Sequence, residues 1–414
     1  MHTVLTETQS PSTRHRSGPS LIREAGVAYF PIALIARLPF AMVVVGVLTL
    51  VVSARGSLAL GGATGAMTGL GTALVGPLLG AAADRFGQRP VLLIAGTANS
   101  LLLGAMAWIA FAPVPDAALL AVAFFIGASM PQVAPLSRSR LVGIVGRAFP
   151  QGRRAKVVNG TMAYESAADE IVFVFGPVIV GLLATTLNPV APVVGAAVLA
   201  LVFVSAFALH PTAKVAAASA QAAPDQAPAR ELFRARVLAP VVGALGMGLF
   251  FGAMLTSLTA FMAERGIAEQ AGLVYGAMGI GSAALALGVA LFPARFTLTA
   301  RWLTFAGILV AGAAALPFVG SVGAMTVWLL VIGVGIGPTL VSQYSLAAGF
   351  SPAGRSATVM TMLGSAVIVG QSAASAVTGL IAESAGSAIA LSVPLAAAAV
   401  VLGAGIVAAF AGRR

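Results

Sequence analysis

The stretch Gly80-Ala-Ala-Ala-Asp84-Arg85-Phe86-Gly87-Gln88-Arg89-Pro90 lies between two long apolar runs, residues 60–83 and 90–111. A helix that crosses the hydrocarbon core of a bilayer needs about 20 mostly apolar residues, and each run reaches that length. The stretch between them holds a single acid among basic residues, which is typical of a short loop at a membrane surface. It therefore predicts two spanning helices joined by a tight turn.

Further apolar runs on both sides bring the predicted number of spanning helices to twelve. Of all residues, 59% are hydrophobic and 8% are charged, whereas soluble domains carry about 25% charged residues. This composition predicts an all-α membrane protein. The other predicted spans are 28–52, 117–137, 158–187, 191–209, 237–262, 271–292, 302–319, 324–349, 357–382 and 387–410.

The basic residues predict the orientation. With the N-terminus in the cytoplasm, all of the 23 Lys and Arg residues except Arg37, Arg55 and Arg265 fall in cytoplasmic segments or at the helix ends beside them. This is the positive-inside pattern. Because arginine greatly outnumbers lysine, and alanine and glycine abound, the sequence suggests a bacterial source. We therefore expect a multi-pass protein of the bacterial plasma (inner) membrane with both termini cytoplasmic.

Changes of composition divide the chain. Residues 1–24 are polar and lack the apolar core of a signal peptide, so they predict a disordered cytoplasmic tail. Residues 210–236 are rich in Ala, Gln and Pro and predict a flexible cytoplasmic linker. The membrane part is thereby divided into two six-helix bundles, residues 25–209 and 237–414.

The two halves repeat at an offset of 210 residues. Ala54-Arg55-Gly56 corresponds to Glu264-Arg265-Gly266, and Arg85-Phe86 corresponds to Arg295-Phe296. Gly65-Ala66-Met67 matches Gly276-Ala277-Met278 with one residue of slip. Parallel six-helix repeats related by an axis along the membrane normal are typical of one transporter architecture.

Residues 80–90 resemble the signature of the major facilitator superfamily, G-x-x-x-D-R/K-x-G-R/K-R/K. They depart from it at Gln88, where a basic residue is usual, and the second copy has Ala294 in place of Asp84. The resemblance covers the whole chain. It implies a twelve-helix fold of two bundles related by a pseudo-two-fold axis, and a secondary transporter that works by alternating access rather than an enzyme.

Five residues of this stretch are candidates for a gate. Gly80 lets two helices approach closely. Asp84 is able to pair with a neighbouring arginine or to sit at the N-terminal end of a neighbouring helix. Such a contact forms when the cytoplasmic side closes and breaks when it opens. The alternative is an orientation signal with a tight turn. The candidates are Gly80, Asp84, Arg85, Gly87 and Arg89.

The fifth span carries Phe175-Gly176-Pro177-Val178-Ile179-Val180-Gly181. This run partly resembles the Gly-Pro signature of the superfamily's antiporter branches, and the resemblance favours export. Gly176, Pro177 and Gly181 predict a kink in this helix. The alternative is a proline that packing tolerates.

Three acids lie within a predicted span: Glu165, Asp169 and Glu170. Intramembrane carboxylates are costly and usually functional. Glu165 and Asp169 are four residues apart and share a helix face. From the rise per residue, Asp169 lies about 18 Å from the cytoplasmic edge, near the midplane, and Glu165 and Arg37 both lie about 12 Å deep.

These acids are the candidate proton-coupling groups, Asp169 first and Glu165 second. Arg37 and Arg138 are their candidate charge partners. Recognition of a charged substrate is a second interpretation. A static ion-pair cluster that holds the first, fourth and fifth spans together is a third.

By resemblance, the first, fourth, seventh and tenth spans line a central cavity. Its apolar and amide side chains favour amphiphilic or drug-like solutes. Together with the acids and the antiporter-like run of the fifth span, they predict proton-coupled export of such solutes. Transport of a polar metabolite, such as a sugar or an organic acid, and a receptor that transports nothing remain open. The candidate cavity residues are Phe40, Gln132, Phe250, Phe251, Gln343 and Tyr344.

The residue inventory limits other chemistry. The chain has no cysteine and only three histidines, so we expect no metal site and no cofactor. No nucleotide-binding sequence is present. The net charge of +11 follows from the basic loops rather than from binding to nucleic acid. The expected partners are a small-molecule substrate, protons and the lipid bilayer, and the expected state is a monomer.

Overall fold

The computed structural model describes residues 20–214, 226–267, 271–293 and 295–411, and nearly all of them are helical. Twelve apolar helices follow one another in the order predicted. Eleven are long and apolar enough to cross a membrane, and the eighth is shorter. They are α1 Tyr29–Arg55, α2 Leu60–Phe86, α3 Gln88–Ile109, α4 Asp116–Ala148, α5 Gln151–Thr186, α6 Ala191–Leu209, α7 Ala235–Ala263, α8 Ala271–Gly288, α9 Leu298–Phe318, α10 Val322–Phe350, α11 Ser356–Ala385 and α12 Ser387–Ala411.

Two helices of the first half are interrupted. The α1 helix breaks at Arg37, just before Pro39, and α4 breaks over residues 129–132, which include Pro131. Proline has no N–H to donate and its ring clashes with the preceding turn, which explains both breaks. Each break brings a polar side chain, Arg37 or Gln132, to a depth where the neighbouring helices surround it.

Parts of the predicted tail and linker are ordered. The single-turn helix Leu21–Ala25 begins at Ser20, whose hydroxyl accepts a hydrogen bond from the Arg23 N–H. Ala229–Phe233 forms a 3-10 turn that buries Leu232 in the core of the second half. Residues 21–24 of the predicted tail and residues 229–233 of the predicted linker are therefore helical. Residues 1–19 and 215–225 lie outside the described residues.

The repeat recurs in the contacts. The Arg55 Nε donates to the carbonyl of Ala110 at 2.8 Å, and the Arg265 Nη2 donates to the carbonyl of Gly320 at 3.0 Å. Donor and acceptor are each displaced by the same 210 residues. The arginine at the end of the first helix of each half thus holds the loop between the third and fourth helices of that half.

Glycines set the spacing of helices within each half. A Cβ atom at Gly71 or Gly127 would collide with the backbone of the facing helix in the α2–α4 pair. Gly281 and Gly337, 210 residues later, have the same role between α8 and α10. Small residues permit this close backbone approach, which packs helices together in lipid.

The two halves meet mainly through α2 against α11 and α5 against α8. Along α2, Gly69, Gly76 and Gly80 face hydroxyl side chains of α11, whereas a Cβ atom at Gly62 or Gly65 would meet no atom within 4 Å. The halves are therefore in contact toward the end of α2 that carries Asp84 and are apart toward its beginning.

A larger side chain at Gly127 should destabilise the protein. Gly127→Val forces the α2 and α4 backbones apart, and overpacking of this kind costs about 1–3 kcal/mol. The matched control is Gly104→Val in α3, where nothing lies within 4 Å of the added Cβ. We expect the melting temperature of the purified protein to fall for Gly127→Val only. Equal melting temperatures for the two variants would contradict the proposed α2–α4 spacing.

Candidate functional site at the contact between the two halves

Four charged side chains of α1, α4 and α5 form a continuous chain of ion pairs. The Arg37 Nη2 lies 2.5 Å from the Glu165 Oε2, and its Nη1 lies 3.2 Å from the Asp169 Oδ1. The Arg138 Nη2 lies 2.5 Å from the Asp169 Oδ2. Two positive and two negative groups thus balance. The structure brings together Glu165, Asp169, Arg37 and Arg138.

Two hydroxyl groups extend this cluster. The Ser137 Oγ donates to the Glu165 Oε1 at 2.9 Å and lies 2.7 Å from the Tyr29 hydroxyl. Tyr29, Ser137 and Glu165 have no exposed surface. Tyr29 and Ser137 are not predicted from the sequence, because a tyrosine at a helix start and a serine beside an arginine carry no distinguishing pattern. The only available signal is that Ser137 precedes Arg138.

The members of the cluster differ in exposure. Arg37, Glu165 and Arg138 are at most 3% exposed, whereas the Asp169 side chain is 21% exposed. One turn beyond Asp169 on α5, the ring of Phe173 meets the ring of Phe40 edge to face, with their centroids 6.2 Å apart. Asp169 therefore lies one helical turn from a partly exposed aromatic pair, and both of its carboxylate oxygens are paired with arginines.

The cluster also touches the second half. The Arg138 guanidinium carbon lies 3.9 Å from the centroid of the Tyr344 ring in α10. One turn away, Pro135 of α4 lies against Gly364 of α11. A cation held over an aromatic face is attracted by the ring. The charge cluster is therefore part of the contact between the halves.

Asp84 makes a second contact across the halves. Its Oδ1 accepts a hydrogen bond from the Ala357 N–H at 3.0 Å, and its Oδ2 accepts from the Thr358 N–H at 2.7 Å and the Thr358 Oγ1 at 2.6 Å. These donors belong to the first turn of α11, where unpaired N–H groups and the helix dipole favour a negative charge. Gly80 packs against the same turn at Ala357.

The family model described as Major Facilitator Superfamily matches residues 29–375. The chain belongs to the major facilitator superfamily. It is a multi-pass membrane protein with the fold of the superfamily's transporters, as the sequence predicted. No curated protein sequence matches it closely enough to be reported as a relative.

Many solved structures share this fold, and three of them illustrate it. The human organic anion transporter MFSD10 (TETRAN) is 19% identical, with a TM-score of 0.69, 94% of this chain covered and 100% of that one. A bacterial homologue of the iron transporter ferroportin, in an outward-facing state, is 15% identical, with a TM-score of 0.70 and coverages of 94% and 99%. The superfamily transporter FucP, in the outward conformation, is 16% identical, with a TM-score of 0.59 and coverages of 93% and 99%.

The departure from the superfamily signature at Gln88 has a local explanation. The Gln88 side chain is buried, its Nε2 donates to the Ser139 Oγ at 2.8 Å, and its Oε1 accepts from the Arg140 Nε at 3.0 Å. A basic residue at this position would place a second positive charge beside buried Arg140. An amide supplies both a donor and an acceptor without that repulsion.

The other gate candidates lie at the surface or in the turn. Arg85 stacks on Phe86 at 5.2 Å and Arg89 is exposed, and neither forms an ion pair with Asp84 among the described residues. Two partners were open to Asp84: a neighbouring arginine, or the N-terminal end of a neighbouring helix. In the structure Asp84 binds the helix end. Gly87 precedes α3 with a φ of +87°, a conformation that favours glycine.

The remaining cavity candidates are buried in this conformation, except Phe251, which is partly buried. Phe250 and Gln343 have no exposed surface, and Gln132 donates to the Met130 carbonyl at 3.1 Å within the α4 break. Phe251 packs against the apolar core of the second half. Of the six candidates, Phe40 and Tyr344 are the ones that accompany the charge cluster.

The candidate kink lies in α5, which the structure assigns as one helix. Gly176 approaches Ala41 of α1 so closely that a Cβ atom would collide with it, whereas Gly181 has nothing within 4 Å of such an atom. The kink itself stays a prediction. The side chains of Glu170 and Pro177 lie outside the described part of the structure.

A second carboxylate, Glu264, binds a helix start within one half. Its Oε2 accepts from the Ser387 Oγ at 2.5 Å and its Oε1 from the Ser387 N–H at 2.8 Å, at the start of α12. Hydrogen bonds from the Ser387 hydroxyl and N–H lower the pKa of Glu264. This arrangement resembles that of Asp84 but joins two elements of the same half.

The ion pairs predict a specific pattern of compensation. Arg37→Ala leaves Glu165 buried without its cation, and breaking such a pair costs about 3–5 kcal/mol. The double change Arg37→Ala with Glu165→Gln removes both partners and should recover part of the lost thermal stability. The control, Arg37→Ala with Asp169→Asn, has the same net charge but leaves Glu165 unpaired and Arg138 without Asp169. We expect melting curves to show less recovery for the control. Equal recovery would contradict the Arg37–Glu165 pairing.

Proposed function

We propose that the protein is a secondary transporter that works by alternating access and couples proton entry to export of amphiphilic or drug-like solutes. One observation carries the proposal: the partly exposed Asp169 carboxylate is held between Arg37 and Arg138, beside Tyr344 of the other half. A group that exchanges a proton at this position acts directly on the contact that alternating access must change.

The charge balance supplies the coupling. With Asp169 ionised, the two arginines and two carboxylates of the cluster sum to zero. Protonation of Asp169 removes one negative charge and weakens its attraction to both arginines. Because Arg138 also stacks on Tyr344, the change reaches α10. Proton binding and helix contact are thereby linked at one residue.

The surroundings of Asp169 favour an amphiphilic substrate. Phe173, which is 41% exposed, lies one turn beyond Asp169 on α5, and Phe40 lies one turn beyond Arg37 on α1. A carboxylate beside aromatic rings suits a solute with a cationic group on an apolar body. Substrate and proton would then compete for the same carboxylate, as antiport requires.

The Asp84 contact serves as the gate in this proposal. The basic loops favour an orientation with the Asp84 end of the bundle at the cytoplasmic face of the bacterial plasma membrane. The contacts of Asp84 with α11, and the gap near Gly62 and Gly65, then correspond to a conformation closed toward the cytoplasm. Release of Asp84 from α11 accompanies opening on that side.

Transport of an organic anion is the second candidate function. Its support is the presence of two arginines around one accessible carboxylate, because protonation of Asp169 leaves a net positive charge that a substrate carboxylate would balance. The similar human structure is named as an organic anion transporter. This candidate predicts that substrate and proton bind together rather than in competition.

Asp169→Asn should abolish solute transport driven by a pH gradient, because the amide cannot exchange the proton. The measurement is proton movement in proteoliposomes when an amphiphilic cation or an organic carboxylate is added. The control is Asp116→Asn, which removes an acid whose side chain is 63% exposed and lies outside the cluster. The control should retain coupled transport.

The sign of the proton movement separates the two candidates. Protons move against an amphiphilic cation in antiport and with an organic carboxylate in symport. Coupled proton movement that survives in Asp169→Asn would contradict the role of Asp169. A parent protein that moves solute without protons would contradict proton coupling altogether.

Loss of the Asp84 contact should open the Asp84 end. A single cysteine at Ser365, which is buried opposite Gly76, reports this opening in a chain that otherwise has no cysteine. Asp84→Asn weakens a helix cap worth about 1 kcal/mol, so thiol labelling should rise about fivefold. Glu264→Gln weakens a cap within one half and should leave labelling unchanged. Equal labelling in both variants would contradict the gate.

A further inference from the structure

A concave pocket opens at the Asp84 end of the bundle, where α2 and α6 end and α3 begins. One side of the pocket is basic and the other is apolar, and none of the described residues that line it is acidic. The basic side is formed by Arg89, His210 and Lys214, and the apolar side by Phe86, Pro90 and Leu209.

The basic side combines two kinds of positive charge. Arg89 and Lys214 are exposed, so their charged groups are free to turn toward a ligand. The α3 helix, 22 residues long, begins at Gln88 without a side-chain cap, which leaves the N–H groups of Gln88 and Arg89 available, whereas Pro90 has no N–H. The nearest acid in the sequence, Asp84, is occupied by α11.

A buried positive charge lies directly behind the pocket wall. Arg140 has no exposed surface, its Nε donates to Gln88, and its Nη1 donates to the Thr212 Oγ1 at 3.1 Å. Thr212 in turn lies 2.9 Å from the His210 Nδ1. The Arg140 Nη2 has no hydrogen-bond partner, and no described acid forms an ion pair with this arginine.

The field of Arg140 reaches the pocket. Burial, and secondly the charge of Arg140, lower the pKa of His210. A buried arginine without a counter-ion is costly in a membrane protein. A negative group in the pocket would supply the missing charge.

We propose that this pocket binds a phosphate group, and that the phosphate belongs to the headgroup of an anionic phospholipid. A helix N-terminus with flanking Arg and Lys side chains matches phosphate in charge and geometry. The pocket lies where three spanning helices end, which is the level of the headgroups. Phe86 and Leu209 are 65% and 51% exposed and provide an apolar surface for the start of an acyl chain.

The test counts lipids bound to the full-length protein in detergent by native mass spectrometry. The probes are phosphatidylglycerol, phosphatidylcholine and inorganic phosphate. The site variant is Arg89→Gln with Lys214→Gln. The control is Arg153→Gln with Lys156→Gln, which removes one Arg and one Lys that are exposed near the start of α5, at the same end.

We expect one phosphatidylglycerol to bind saturably and more tightly than phosphatidylcholine. The site variant should bind it about thirtyfold more weakly, since each basic residue near an anionic headgroup contributes about fivefold. The control should bind as the parent does. Equal weakening in both variants, or no saturable binding, would overturn the pocket as a site. If inorganic phosphate binds as tightly as phosphatidylglycerol and displaces it, the proposal that the bound phosphate belongs to a lipid is wrong.

Discussion

A charge inside lipid must find a partner, and this constraint organises the first half of the molecule. Arg37 is placed at a break in α1, and its partners Glu165 and Asp169 lie on one face of α5. Arg138 then fixes the second piece of α4 against the same face. The four residues are paired because an unpaired member of the cluster would cost several kcal/mol in this environment. The break in α1 and the docking of α4 are therefore parts of one arrangement.

The sequence predicted the features that depend on spacing along the chain. Helix number and order follow from apolar length, and the Arg37–Glu165 pair follows from equal depth in two helices. The sequence did not decide whether Asp84 pairs with an arginine or with a helix N-terminus. Its partners, Ala357 and Thr358, are more than 270 residues away and supply backbone groups, which leave no signature in the sequence. Tyr29 and Ser137 were missed for a related reason, since a hydroxyl has no signature until its neighbour is known.

The internal repeat duplicates the frame but not the chemistry. Arg55 and Arg265 hold equivalent loops, and Gly71 and Gly281 set equivalent helix spacings. In contrast, residues 356–382 of α11, the helix that corresponds to α5, carry no charge. The contacts of these glycines and arginines are made to backbone atoms. They therefore persist when the surrounding side chains differ between the halves.

The contacts within and between the halves differ in kind. Within a half, glycines such as Gly127 bring backbone against backbone, so neither helix can shift without a steric clash. Between the halves, Gly69 and Gly76 of α2 face the hydroxyls of Ser372 and Ser365 in α11. Lipid provides no hydrophobic force that would hold such a face together. The Asp84 hydrogen bonds and the stacking of Arg138 on Tyr344 therefore add directional contacts to the packing of α2 on α11 and of α5 on α8. Hydrogen bonds and a stacking contact separate more readily than interlocked backbones, which is the property that the proposed alternating access requires.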